Sequence, residues 1–366
     1  MKLSSFDVAI VGGGPGGSAT ALSLRAHAPS LNVVLIEASR YETQRIGETL
    51  PPPARPILEH LCVWEAFRRQ HHREAHGTTA VWGTAIPLDN DFIYMPVNKG
   101  WHLDRAAFDA MLAGQAHSRG AALIIDTRLR HAKRTGDEWR LTLSTGSLLT
   151  ARFIVDATGG NAAFARRHGA RFVDADRLVG IARFFEDGGG DPRTLVEAFA
   201  DGWWYTAGLP DGRRITACMT DADLALKLRL NEAEQWSKVL AAMPCVGARL
   251  RGSKPCSPLI VRSTESRRLE PAAGDYWLAV GDAASRFDPL SSQGIVKALR
   301  SGIFASYVIG DLLVRKDDAG LRRYRRFVME EFKSYTEVRA KYYLEEQRWP
   351  ASEFWRRRHA SIAVGQ

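Results

Sequence analysis

Phe6-Asp7-Val8-Ala9-Ile10-Val11-Gly12-Gly13-Gly14-Pro15-Gly16-Gly17 decides the fold of this chain. An apolar run, a glycine turn and an Ala/Leu-rich helical pattern through Ala28 follow one another without a break. That order is the dinucleotide-binding fingerprint. Gly12 allows the tight turn, Gly14 lets a pyrophosphate approach the backbone, and Gly17 lets helix and strand pack closely. Pro15 stands with them at the helix start, whose free N–H groups and positive dipole end face an anion. A second apolar run, Asn32–Ile36, ends at Glu37, with Ala38 beside it. An acid there suits ribose hydroxyls and repels a 2′-phosphate, so the site asks for FAD or NAD rather than NADP.

The 366 residues can hold one large domain or two. A hydrophobic content of 45% supplies ample core, and no apolar run reaches the length of a membrane span. The first strand begins within a few residues of Met1, which leaves no room for a signal peptide and points to a cytoplasmic protein. Cys62, Cys218, Cys245 and Cys256 show no metal spacing and read as free core residues. No metal is expected. The net charge of +9 is gathered in short runs: Arg68–Arg73, Arg166–His168, Arg322–Arg326 and Arg356–His359. These read either as solvated helix faces or as surfaces for an acidic partner. No nucleic-acid module accompanies them.

Along the chain, the proline-rich stretch Arg45–Pro53 is a fixed connection, followed by a helical pattern at about 54–70. Asp104 can cap a helix at about 105–119. Strands are expected at Thr78–Trp82, Asp91–Tyr94, Ala122–Ile125, Arg128–Arg134, Trp139–Ser144 and Leu148–Val155, with hairpin turns at Thr135-Gly136-Asp137 and Thr145-Gly146. Residues 161–275 read as an antiparallel sheet with helical stretches near 231–242. Tyr276–Asp282 returns to a buried-strand pattern ending in Gly-Asp. Two long helices, about 292–315 and 320–346, and a basic, aromatic tail at 349–366 complete the chain. The tail is expected to be partly disordered. The fold class is thus α/β: a Rossmann-like FAD-binding domain with an inserted antiparallel-sheet substrate domain and a helical C-terminus. The first takes 1–76, 101–160 and 276–315, the second 77–100 and 161–275, and the last 316–366.

Three segments come together in this reading: the Gly12–Gly17 cradle, the Asp156-Ala157-Thr158-Gly159 turn, and Gly281–Gly294. A strand ending in Gly-Asp, a proline loop and a glycine at a helix start offer a carboxylate for a polyol and N–H groups for an anionic ring. On these segments the chain resembles the class A flavoprotein monooxygenase and flavin-dependent halogenase superfamily, over nearly its whole length. The resemblance implies FAD lined by Arg45, Glu48, Arg105 and Gly159. It sets Asp282 on the ribityl or pyrophosphate, and Pro289, Gly294 and Ile295 beside the isoalloxazine. The alternative for Arg45 and Arg105 is surface ion pairing.

Ile46–Pro52, Gly100–Arg105, Gly202–Tyr205 and Phe287–Gly294 look closer still to the flavoprotein maturases of tryptophylquinone-containing glycine and lysine-epsilon oxidases. That likeness implies an FAD-dependent monooxygenase that hydroxylates a tryptophan indole in a peptide or protein precursor. O2 would be the oxidant, and electrons would come from NAD(P)H or a separate flavin reductase. His102 and Tyr205 are then candidates to hydrogen-bond the indole or its product, and Trp203 and Trp204 to wall the pocket. The bland readings are a structural histidine and plain aromatic core. Halogenation fits less well. The position of the tryptophan halogenases' glutamate holds Ser291, and Gly77–Trp82, where their lysine is expected, has none. The rival functions are a small-molecule aromatic hydroxylase or halogenase, a flavin-bearing chaperone that holds a precursor, and a flavin reductase of isoprenoid double bonds.

Overall fold

A computed structural model describes residues 4–186 and 190–363. Its first layer is a sheet of eight strands. Ser4–Val11 lies at the centre, parallel to Leu148–Asp156 on one side and to Val33–Ile36 on the other. Ala122–Ile124 and Trp277–Ala279 extend the parallel ladder outward. Val8, Ala9 and Ile10 are wholly buried, as a strand covered on both faces requires. The helix Pro15–His27 packs on this sheet and against the later helix Gly294–Gly310. The hairpins expected at 135–137 and 145–146 hang from Leu148–Asp156 as antiparallel strands Leu129–Thr135 and Glu138–Leu143.

The second eight-stranded sheet runs Lys254–Pro255, Leu178–Glu186, Arg213–Asp221, Gly202–Gly208, Thr194–Phe199, Gly77–Val81 and Leu88–Asp91, with Ile260–Ser263 also on Leu178–Glu186. It is antiparallel except for one pair, Thr194–Phe199 with Gly77–Val81. That pair joins segments more than a hundred residues apart, which no local pattern announces. Two three-stranded sheets stitch the layers. One joins Thr49–Leu50, Gly100–His102 and Arg73–Ala75; the other joins Arg171–Val173, Arg267–Glu270 and Ser285–Arg286.

Four expectations need correction. The helix at 54–70 is two, Ala54–His60 and Trp64–Arg68, broken where Cys62 takes a positive φ of 54°. The strand at Asp91–Tyr94 is a strand Leu88–Asp91 followed by a 3-10 turn. The tail is not loose over its described part: Glu353–Ala363 is a helix whose Phe354 and Trp355 are fully buried. Residues 364–366 lie outside the described residues. Nor is the arginine run at 356–358 a solvated face. Arg357 pairs with Asp221, Asp223 and Glu353, and Arg358 is buried against Asp221. Burying one such indole contributes about 4 kcal/mol by area, so this helix is held as firmly as any core element.

Among the described residues no helix is long and apolar enough to cross a membrane, and no group of three or more His, Cys, Asp or Glu side chains could hold a metal ion. The four cysteines are free thiols, but only Cys218 is a core residue: Cys245 is half-buried, and Cys62 and Cys256 are exposed.

Candidate functional site

A cavity of about 1000 Å3 opens between the carboxyl ends of the parallel strands and the second sheet. Its size is at the top of the usual range for a small-molecule site, roughly 300–1,000 Å3. One end is lined by Gly12, Gly14, Pro15, Glu37 and Ala38, the middle by Arg45–Thr49, Arg105, Gly159, Asp282 and Pro289–Ile295, excepting Ser291. The far end is Thr194, Val196, Trp203, Tyr205, Met219 and Ile260.

The cradle end follows from its glycines. Gly12 has φ +116°, and a Cβ there would lie 2.1 Å from the Ala157 carbonyl oxygen. A Cβ on Gly17 would lie 2.0 Å from the Gly12 carbonyl oxygen, so Gly17 serves packing and does not line the cavity. A Cβ on Gly14 would meet nothing within 4 Å, because it would point into the cavity. Gly14 is extended and Pro15 opens the helix, leaving first-turn N–H groups free.

Glu37 is buried. Its Oε2 accepts the Gly13 N–H at 2.7 Å, and its Oε1 accepts the Ser39 N–H at 3.0 Å and hydroxyl at 2.5 Å. A carboxylate oxygen has room for two donors, so Oε2 can still receive a ribose hydroxyl. Arg45 and Arg105 are not surface ion pairs. Both converge on Asp109, whose side chain is 1% exposed: Arg45 Nη1 donates to it at 2.6 Å and Arg105 Nη2 at 3.3 Å. Asp109 escaped the sequence reading. Its signal was the i,i+4 spacing from Arg105 on the helix that Asp104 caps through the Ala107 N–H.

At the middle, Asp282 accepts Lys297 Nζ at 3.0 Å. Burial would raise its pKa, but Lys297 and Arg286 hold it below the usual carboxylate value. Lys297 is itself 2% exposed and was also missed; nothing in its helical pattern marks it. The proline loop is pinned from below. Asp288 is buried; its Oδ1 accepts the Leu290 N–H at 2.9 Å, and its Oδ2 accepts the Tyr343 hydroxyl at 2.8 Å and Arg339 Nε at 3.1 Å. The Tyr343 hydroxyl in turn accepts Trp203 Nε1 at 3.0 Å. Ser291 turns its hydroxyl back to the Asp288 carbonyl at 2.9 Å and stays out of the cavity.

Strand alternation divides the aromatic triplet. Trp203 and Tyr205 face the cavity, whereas Trp204 points to the opposite core with Trp236 and Cys218. Trp204 is therefore not a pocket wall. Neither does His102 line the cavity. It is fully buried behind Thr194, with Nε2 2.9 Å from the Thr194 hydroxyl. Burial first, then Arg73 and Arg214, push its pKa down to about 3, so the ring is neutral and structural. The titratable pair that does reach the far end is Glu48 and Tyr205. Glu48 is 2% exposed and accepts the Gly47 N–H at 2.9 Å, with the Tyr205 hydroxyl close enough for each to shift the other's pKa. Burial raises the Glu48 pKa against the opposing hydrogen bonds and Arg105. No lysine lines the cavity among the described residues.

The family described as Tryptophan halogenase matches residues 7–79 and 78–364. A putative FAD-dependent oxidoreductase, LodB of Marinomonas mediterranea, is 30% identical over 99% of both chains. Among solved structures, the flavin-dependent halogenase CmlS aligns with a TM-score of 0.85 and 27% identity, covering 98% of this chain and 68% of that one. The peptidyl tryptophan dihydroxylase QhpG, essential for tryptophylquinone cofactor biogenesis, aligns at 0.79 and 25%, covering 97% and 79%.

Proposed function

The chain belongs to the tryptophan halogenase family and is an FAD-dependent oxidoreductase, and from that premise we propose that it oxygenates the indole of a tryptophan carried by a peptide or protein. The observation that carries this reading is the far end of the cavity. It pairs an aromatic and aliphatic wall with one buried carboxyl–phenol couple, and no lysine reaches it among the described residues. The likeness to a peptidyl tryptophan dihydroxylase supports it.

The residues present fit FAD. The open space over Gly14 and the free helix N-terminus would take the pyrophosphate, and Glu37 Oε2 a ribose hydroxyl. Arg45 and Arg105, held in place by Asp109, would flank the cofactor, with Asp282 on its polyol. The backbone from Pro289 to Ile295 would lie along the ring. Reduced FAD supplies the activation of O2; one oxygen atom enters the indole and the other leaves as water. Two electrons come from NAD(P)H or a separate reductase.

The chain's own work is placement and proton handling. Trp203, Val196, Met219 and Ile260 would hold the indole by area and offset ring contacts, ~0.5–1.5 kcal/mol for each aromatic pair. Tyr205 would orient the indole edge. Glu48, seated behind it, would accept the proton that leaves the ring carbon once the C–O bond has formed, the C–H electron pair restoring the aromatic ring. The second sheet and the C-terminal helix, whose Phe354 and Trp355 pack beside Trp203 and Tyr205, would keep water from this end. A polypeptide substrate brings remote binding surface that free tryptophan lacks, which raises the rate as well as the affinity.

The second reading is halogenation, favoured by the family match and by the CmlS likeness. One experiment separates the two. Reduced FAD, O2 and bromide are incubated with a tryptophan-bearing precursor and with free tryptophan, under catalase, and the products are weighed by mass spectrometry. Oxygen-dependent mass gain on the precursor above that on free tryptophan is the expected result. Enzyme-dependent bromination, or equal turnover of the free amino acid, overturns the reading.

A further inference from the structure

Three arginines from three separate segments converge just outside the cavity wall. Arg267 donates through Nη2 to the Gly160 carbonyl oxygen. Arg286 lies so tightly on the same residue that a Cβ on Gly160 would fall 1.2 Å from its Nη2. Arg166 and Arg267 share the ring of Phe172, at 5.5 and 3.9 Å from its centroid. Around them the carboxylates are too few. Glu265 pairs with Arg267 at 2.7 Å; Asp282 is 4.0 Å from Arg286 but is taken by Lys297 at 3.0 Å. Four cations thus face two carboxylates. Burial and the neighbouring Arg286 pull the Arg267 pKa below its usual value.

Two of the three arginines have internal work. Arg267 and Arg286 clamp the turn after Asp156, and Arg286 also donates to the Ser263 carbonyl and hydroxyl, both at 3.0 Å. Arg166 has none of this. Among the described residues its exposed guanidinium makes no hydrogen bond, yet it stands close enough to Arg267 to lower that group's pKa. Arg267 Nε is buried without a partner. Of the three, only Arg286 lines the cofactor cavity; Arg166 and Arg267 lie outside its lining.

We propose that Arg166, Arg267 and Arg286 form an anion site for a phosphate or pyrophosphate group, separate from the Gly12–Gly17 cradle. Guanidinium forks match phosphate oxygens in pairs, and a doubly charged group balances the local excess of cations. The site is independent of the oxygenase reading, because it is tested by binding without turnover.

The probes are inorganic pyrophosphate, NADPH and NADH, titrated by calorimetry into FAD-loaded protein so that the cradle is filled. Pyrophosphate should bind, and Arg166→Glu should weaken it about tenfold or more, since one charge-assisted contact is replaced by repulsion. FAD affinity, measured separately, should not change in that variant. If NADPH or NADH binds and pyrophosphate displaces it, the phosphate belongs to a second nucleotide; if only pyrophosphate binds, the source is a free phosphate. Either result upholds the site. Absence of binding by all three probes, or equal binding to the wild type and Arg166→Glu, overturns it.

Discussion

Replacing Tyr343 with Phe removes one oxygen atom from the junction of three elements. Tyr343 lies on the helix Ala319–Glu345 and is 2% exposed. Its hydroxyl accepts Trp203 Nε1 at 3.0 Å and donates to Asp288 Oδ2 at 2.8 Å. The bond to the carboxylate is worth about 1.5–3 kcal/mol, and leaving the buried indole N–H unpaired costs about 1–3 kcal/mol. The two losses share one atom and do not add in full. Asp288 keeps Arg339 at 3.1 Å, so its charge stays paired and the loss stays below the ~3–5 kcal/mol of a broken buried ion pair. About 3 kcal/mol is therefore expected, a fall in Tm of roughly 4 °C for a chain of 366 residues. Urea unfolding followed by tryptophan fluorescence measures it. A double-mutant cycle with Trp203→Phe should return a coupling of about 1 kcal/mol. Because Asp288 sets the turn before Pro289, FAD affinity should fall in step. A change within about 0.5 kcal/mol of the wild type, or an additive cycle, would show that the hydroxyl does not join these elements.

Other substitutions probe the rest of the site. Gly12→Ala should abolish folding of the cradle, since its Cβ meets the Ala157 oxygen at 2.1 Å, whereas Gly14→Ala should leave stability intact and weaken only FAD binding; equal stability losses in thermal melts would contradict this. Asp109→Asn should raise the FAD Kd by about tenfold or more by releasing Arg45 and Arg105, which flavin fluorescence titration reads. Glu48→Gln should lower kcat more than it changes KM and remove the acidic limb of the kcat–pH profile; an unchanged profile would exclude it as proton acceptor. His102 stays neutral in the fold down to about pH 3, while the unfolded ring takes a proton near 6.5. Stability is thus full above pH 6.5 and is lost as pH falls toward 3, and His102→Gln should flatten that slope in urea titrations across the acid range.

The first strand, its glycine turn and Glu37 were legible because each rests on local geometry that only those residue types satisfy. Within the second sheet the longer strands Leu178–Glu186, Thr194–Phe199, Gly202–Gly208 and Arg213–Asp221 were legible to within a residue or two, whereas Leu88–Asp91, Lys254–Pro255 and Ile260–Ser263 were not, being short and largely exposed. What the sequence concealed was direction and distance. Whether Trp203 or Trp204 meets the cavity depends on which face of one strand is turned inward, and both are equally apolar. His102 stands three residues before the cavity-lining Arg105, yet Thr194 comes between it and the cavity from a strand ninety-two residues away. Asp109, Lys297 and Tyr343 act through partners on other elements, so no pattern of neighbours betrays them. The arginines at 356–358 looked like surface because their carboxylate partners, Asp221 and Asp223, lie far back in the chain.

The helix Glu353–Ala363 also sets an order on biosynthesis. Phe354 and Trp355 fill the core shared with Trp203, Tyr205 and Met219, and Ser352 and Trp355 bond to the carbonyls of Ala200 and Phe199. All those partners emerge from the ribosome well over a hundred residues earlier. During that interval the face of the second sheet that carries Trp203 and Tyr205 lacks this cover, and Asp221 lacks Arg357 and Arg358. A nascent chain at this stage carries a large adhesive face, the condition under which holding factors engage. The cavity's far wall is therefore among the last parts of the molecule to become solid, after the helix Gly294–Gly310 that completes the cradle's packing has emerged. A chain stalled or clipped before residue 353 would carry the cradle without a finished far wall.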